Sequence, residues 1–309
     1  MKQLTSIEWI AQFLAAEPPR AKSMVMTVFG DAIVPHGGAV WMGSLIALLA
    51  PFGVNERLLR TSVYRLAQEG WLAASRDGRR SVYAIAPDAV RRLARANRRI
   101  YLPPPDQWDG LWTMLLPSAG LTPPLRAGLR KELLWQGYAP LAPGVLGHPA
   151  GELAVLDELL ARVGAAGQVF VCRASEAPQG NGRPLGELVA DSWDLSGVVA
   201  GYRRFIDSFA PLLALLRTEA ELLPDTAFVV RSLTIHAYRR VQLQDPGLPL
   251  ALLPQSWPGE QACALAQSLY RHTVAGSERH IVEALQREDA HAKAADEAFF
   301  ERFGGLARD

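Results

Sequence analysis

Apolar positions recur at helical spacing along most of the chain. Ile7, Ile10, Phe13 and Leu14 form one stripe. They predict a short amphipathic helix over 5–16, with Ser6 as its N-cap and Pro18-Pro19 as its end. A helical stretch over 23–31 follows, too apolar to be exposed on all sides. Pro35-His36-Gly37-Gly38 reads as a turn, 40–42 as a short strand and 44–50 as a further helix closed by Pro51-Phe52-Gly53.

The next helix carries the clearest two-sided pattern. Asn55 is a good N-cap and Glu56 complements the helix dipole. Leu59, Val63 and Leu66 give a buried stripe. Arg57, Arg60, Thr61, Tyr64 and Gln68 share the opposite stripe. Gly70 ends the helix. Two strand-like runs, 71–76 and 79–85, flank Asp77-Gly78, a strong hairpin signal. Helix, turn, helix and Arg-tipped hairpin is the pattern of a winged helix-turn-helix. A basic helix over 88–101 holds Arg91, Arg92, Arg95, Arg98 and Arg99, and Pro103-Pro104-Pro105 makes a stiff boundary.

Beyond it, the pattern predicts a buried strand at 111–116, a helix to about Gly137, loop with some strand at 138–147, a helix at 152–163 and a strand at 168–173. That βαβαβ-like order suits a small ferredoxin-like α/β domain. Residues 176–184 read as an exposed loop. The remainder is mainly helical, near 198–216, 225–240 and 259–275, with a last amphipathic helix near 278–303. The proline-rich segment 245–258 is loop. The fold class is therefore α+β and multidomain. A winged helix-turn-helix covers 1–100, a ferredoxin-like domain 101–180 and a helical domain 181–309.

Composition changes the picture at one point. The 309 residues are 49% apolar and 20% charged with a net charge of +1, which excludes wholesale disorder and fibrous classes. The balance is uneven. Residues 1–100 hold 14 Lys+Arg against 7 Asp+Glu, and the rest holds 18 against 24. A basic head on an acidic body points to a polyanion partner. Cys172 and Cys263 are too few for a disulfide framework and read as buried small apolar residues in a reducing cytosol. The longest stretch without Lys, Arg, Asp or Glu, 32–55, is broken by Pro and Gly, so no membrane span and a cytoplasmic location are expected.

The chemistry follows from the head. An α-helix fits the major groove, and Arg pairs bidentately with guanine. Arg57, Arg60, Thr61 and Tyr64 are candidates for base edges. Arg65 and Gln68 are candidates nearer the phosphates, and Asn55, at the helix start, is counted with the DNA-binding residues. Arg76, Arg79 and Arg80 at the hairpin tip are candidates for phosphate or minor-groove contact, against the alternative of a solvated turn. The basic helix over 91–99 either borders DNA or lies solvated between domains. Enzyme motifs are not recognisable: there is no G-x-S-x-G, H-E-x-x-H or Walker A, and the six histidines lack metal-like spacing. No cofactor or metal is expected.

The segment VFGDAIVPHGGAVWMGSLIALLAPFGVNERLLRTSVYRLAQEGWL at 28–72 resembles the head of the PaaX family of phenylacetate-degradation repressors, and GRRSVYAI at 78–85 resembles its wing. The likeness continues through QGYAPLAPGVLGHP at 136–149, WDL at 193–195, AYRRVQLQDPGLPLALLPQSWPGEQA at 237–262 and LY at 269–270. The resemblance implies a GntR-like DNA-binding domain, a central domain similar to a small CRISPR-associated nuclease, and a family-specific C-terminal domain. The nuclease likeness fails as chemistry. Strand 111–116 ends in Pro117-Ser118, where a metal-dependent nuclease needs an Asp, so scaffold or dimerisation is the better reading.

The resemblance also implies a homodimeric repressor on double-stranded operator DNA, released by phenylacetyl-coenzyme A. Such a thioester needs basic groups, a stacking surface and an apolar slot. Arg203, Arg204, Arg239, Arg240 and Trp257 are candidates, each with a structural alternative as solvated Arg or core aromatic. Two other classes stay open: an enzyme acting on a coenzyme-A thioester or nucleic acid, and a DNA-binding module that senses nothing.

Overall fold

The computed structural model describes residues 4–78, 80–102, 108–176, 182, 184–219 and 221–307. Two compact units emerge, each built from separated stretches. One comprises residues 1–103, 202–243 and 258–309, and the other residues 104–201 and 244–257.

The first unit begins with α1, Ser6–Ala16. Its N-cap is Thr5, not Ser6: the Thr5 hydroxyl accepts from the Glu8 amide while the Glu8 carboxylate accepts from the Thr5 amide. Glu8, three residues on, makes the reciprocal pair possible for Thr5 alone. Ser6 is buried instead, its amide donating to Glu219 at 2.6 Å. The next helix, α2 (Ala21–Val28), widens into a π-helical turn over Phe29–Ile33 that is buried throughout. Then come β1 (Ala39–Trp41), α3 (Met42–Leu49), α4 (Glu56–Gln68), β2 (Leu72–Asp77), β3 (Arg80–Ile85) and α5 (Pro87–Tyr101). The three strands form an antiparallel sheet in the order β1-β3-β2, with Asp77 paired to Arg80 and Gly78 in the left-handed region at φ 59°.

The second unit holds β4 (Leu111–Pro117), α6 (Pro123–Trp135), β5 (Ala139–Ala142), β6 (Val145–His148), α7 (Leu153–Val163) and β7 (Val169–Ser175), followed by α8 (Leu185–Ser192). The order is βαββαβ, one strand more than the βαβαβ-like expectation. Residues 139–148 form a hairpin whose turn residue Gly144 has φ 79°. All four strands are antiparallel, in the order β5-β6-β4-β7. Leu115 and Leu146 pack with Leu129, Leu133, Leu156 and Leu159 of α6 and α7. Trp112, Val189, Trp193 and Leu248 make a second apolar cluster. Cys172 and Cys263 are free thiols and half-buried, not buried as expected.

The helix α9 (Ser196–Leu216) precedes α10 (Pro224–Gln242). The expected break near residue 276 does not exist. Helix α11 runs unbroken from Gly259 to Gln286, and only the four-residue α12 (Glu297–Phe300) and a turn at Arg302–Gly304 follow. Gly276 serves packing, not termination: a Cβ there would stand 2.8 Å from the Ala227 Cβ of α10. Its lost helix propensity of about 1 kcal/mol is the cost of letting two buried helices approach closely.

At the centre of this unit Asp31 lies on the π turn. Its carboxylate accepts from Tyr101 (2.7 Å), Tyr270 (3.0 Å), Arg231 (2.8 Å) and Arg302 (3.1 Å). Its backbone carbonyl accepts from both arginines at 3.0 Å. Arg231 also donates to Glu278 at 2.6 Å, and His36 lies 3.1 Å from the other Glu278 oxygen. Burial alone would raise the Glu278 carboxyl, but His36 and Arg231 hold it down at about 2. A π turn leaves carbonyls outside the regular ladder, and here those of Gly30 and Asp31 receive guanidinium donors.

Candidate nucleic-acid interface

The site is built on α4. Asn55 Oδ1 accepts from the Leu58 amide at 2.9 Å, so its side chain caps the helix. Leu59, Val63 and Leu66 are buried, and Ser62 donates to the Leu58 carbonyl. That buried stripe fixes the helix rotation. Arg57, Arg60, Thr61, Tyr64, Arg65 and Gln68 are all exposed. Tyr64 is 65% exposed, an unusual amount for a ring that could pack. Arg60 is paired with Glu56 at 2.7 Å across one turn, and Thr61 donates to the Arg57 carbonyl at 2.9 Å. The Arg60–Glu56 pair is solvent-exposed and holds the fork only weakly.

The hairpin places Arg76 on the exposed part of β2. Arg80 starts β3 but is held by the protein itself: its guanidinium lies 4.2 Å over the Trp41 ring and 3.3 Å from both Glu288 Oε2 and the Glu288 carbonyl oxygen. Sequence reasoning missed this tie, because no local signal links the positions. Arg79 lies outside the described residues.

On α5, Arg92 stacks over Trp71 at 4.0 Å. Arg99 donates to the Gln242 carbonyl, and Gln242 returns a bond to the Arg99 carbonyl. The basic helix is therefore packed against α10 at its C-terminal end.

The five effector candidates are not brought together as one described site. Arg203 and Arg204 are exposed on α9 and Arg240 is exposed on α10. Arg239 is half-buried and donates to the Ser23 carbonyl and to Thr27 Oγ1, with burial lowering its pKa. Trp257 belongs to the second compact unit. Beside Arg239, His236 shares Thr27 at 2.9 Å; burial, then Arg239 and Arg240, bring its pKa down to about 3. Among the described residues there is no group of three or more His, Cys, Asp or Glu placed to hold a metal ion. None of their helices is long and apolar enough to cross a membrane.

An exposed Arg/Thr/Tyr stripe on a capped helix, beside a two-stranded Arg-bearing hairpin, defines a head of the helix-and-hairpin class. The chain belongs to the PaaX family. Residues 20–89 match the model for PaaX-like protein, 105–185 that for the PaaX protein central Cas2-like domain, and 193–283 that for the PaaX-like protein C-terminal domain. The chain is 38% identical over 300 residues to the transcriptional repressor PaaX of Escherichia coli (strain K12), covering 96% of this chain and 94% of that one. Among solved structures it is similar to the uncharacterized protein Rv0674 of Mycobacterium tuberculosis. The identity there is 27% and the TM-score 0.49, over 81% of this chain and 96% of that one.

Proposed function

We propose that this protein is a DNA-binding transcriptional repressor of an aromatic (phenylacetate) catabolic operon, with a winged helix-turn-helix head and a ferredoxin-like central domain. The observation that carries the reading is the outward stripe Arg57, Arg60, Thr61 and Tyr64 on a helix whose opposite face is locked in the core. The match to a curated repressor along nearly the whole chain supports it. In this reading α4 enters the major groove, and Arg65, Gln68, Arg76, Arg79 and Arg80 meet the backbone. Asn55 sets the helix start.

The protein works as a cytoplasmic homodimer, because a two-fold protein matches a two-fold operator. Leu116 and Phe170 support an assembly role for the central domain: they pair across β4 and β7 and are 40% and 66% exposed. The effector is an aryl-acetyl-coenzyme A such as phenylacetyl-coenzyme A, which favours a conformation with poorer half-site spacing. Titrating operator release with the thioester and with free phenylacetate tests the effector. The thioester releases the protein at far lower concentration; equal potency overturns the assignment.

A further inference from the structure

We infer that the cleft among the base of β3, α5 and the C-terminal segment takes the aryl-acetyl group of the effector, and that this is where ligand binding reaches the DNA-binding head. The inference rests on the ligand-responsive reading above. The cleft encloses about 690 Å³ and lies wholly within the first compact unit. Small-molecule sites occupy roughly 300–1,000 Å³. A benzene ring needs only about 150 Å³, so an aryl group and part of its thioester arm fit together. None of Arg203, Arg204, Arg239, Arg240 or Trp257 lines it.

The walls are apolar. Val34, Ile85, Val90, Leu93 and Leu102 line them, with Tyr101. Val90 on the very basic α5 and Leu102 just past its end are 51% and 42% exposed, an unusual pair of large apolar side chains left open. The cleft explains both as walls kept open. Its charged members have opposite signs, Arg98 and Arg302 against Asp296 and Glu301. Arg302 is already engaged by Asp31. With Arg302 so engaged, Arg98 stands against two carboxylates, so the lining offers nothing to a phosphate but offers apolar surface to an uncharged group. The phosphates of the ligand stay outside.

Position gives the cleft its leverage. Ala84 and Ile85 lie on the central strand of the wing sheet, which begins with Arg80 and pairs with both β1 and β2. Tyr101 and Arg302 also belong to the buried cluster that grips the π turn at Asp31. Arg302 is set by the turn at Phe303, whose φ of 52° is rare for a bulky side chain. Phe303 is held between the Tyr101 and Tyr270 rings at 5.5 and 5.2 Å. An occupant therefore touches the wing strand, α5 and the C-terminal clamp together. If it fits two arrangements of these segments unequally, it shifts their populations.

The test uses the full chain with Ala94→Trp and, from the opposite wall, Ala298→Trp; both residues are exposed cleft members. Calorimetry measures binding of phenylacetyl-coenzyme A and of coenzyme A alone, beside operator titration without ligand. The expected result is operator affinity like the parent's, with thioester binding weakened about tenfold or more in each variant, because the displaced ring loses its buried surface. Thioester affinity unchanged in both variants overturns the cleft assignment and leaves the repressor reading intact. A parent protein that binds operator but not the thioester overturns it also. A parent that binds no operator sinks the repressor reading itself, whichever site the thioester occupies.

Discussion

Arg80 and Glu288 are 208 residues apart in the chain and meet at 3.3 Å, with Arg80 lying over the Trp41 ring. Glu288 sits against Gly43, at the start of α3, where a side chain would collide with its carboxylate. Arg80 of the wing is thus held by an acid from the C-terminal part of the chain. DNA must compete with that acid for the same guanidinium. Glu288→Gln is expected to tighten DNA binding by up to about 1 kcal/mol, the value of an exposed pair, and to raise the salt slope by about one. The gain disappears in Arg80→Ala. A gain that persists without Arg80 contradicts the latch.

The buried cluster predicts a large stability effect. Asp31 is the shared acceptor for Arg231 and Arg302, and all three are buried. Asp31→Asn leaves two guanidinium groups facing one remaining carboxylate, Glu278. Removing one partner of such a set costs about 3–5 kcal/mol. Chemical denaturation of the variant is expected to show that loss; a change under about 1 kcal/mol contradicts the account.

The cluster and the cap were legible in the sequence to different degrees. Asn55, the α4 stripe and the Asp77-Gly78 hairpin were readable because each depends on neighbours within a few residues. The exposed stripe is therefore fixed by local sequence without any tertiary contact. The Asp31–Arg231 pair spans 200 residues and the Arg80 tie spans 208. No periodicity encodes such distances. Continuity of α11 was hidden for a related reason: Gly276 reads locally as a helix breaker, and only the approach of Ala227 explains it. At α1 both Thr5 and Ser6 are caps by residue type, and only the reciprocal bond from Glu8, three residues beyond Thr5, decides between them.

Acid sensitivity follows from His236. Its folded pKa is about 3 against an ordinary 6.5. The unfolded chain gains a proton as pH falls through 6.5, while the folded chain does not until about 3. Stability is full above pH 6.5 and declines below it, by about 2 kcal/mol at pH 5. His236→Gln keeps a polar partner for Thr27 and removes the titration. Its stability is expected to fall less between pH 6.5 and 5 than the parent's, the remaining fall coming from His280, whose pKa burial also lowers. Glu278, held at about 2, adds a loss below pH 4.5 in both proteins. Parallel curves above pH 5 contradict the assignment.

Assembly is tested at Phe170. A large exposed ring beside Leu116 is expected to be covered in the proposed homodimer. Phe170→Glu is expected to shift light scattering from dimer towards monomer at micromolar concentration. An unchanged dimer moves the interface elsewhere.

The central claim is that α4 reads DNA, and Arg57 tests it most directly. It is exposed on α4, and its side chain supports no part of the core. Operator titration at fixed salt compares the parent with Arg57→Ala, on operator and on random DNA of equal length. The account predicts that the parent discriminates between the two. It also predicts that Arg57→Ala loses about 1–3 kcal/mol of operator affinity with a smaller change on random DNA. A parent that binds both DNAs equally, or a variant with unchanged operator affinity, contradicts it.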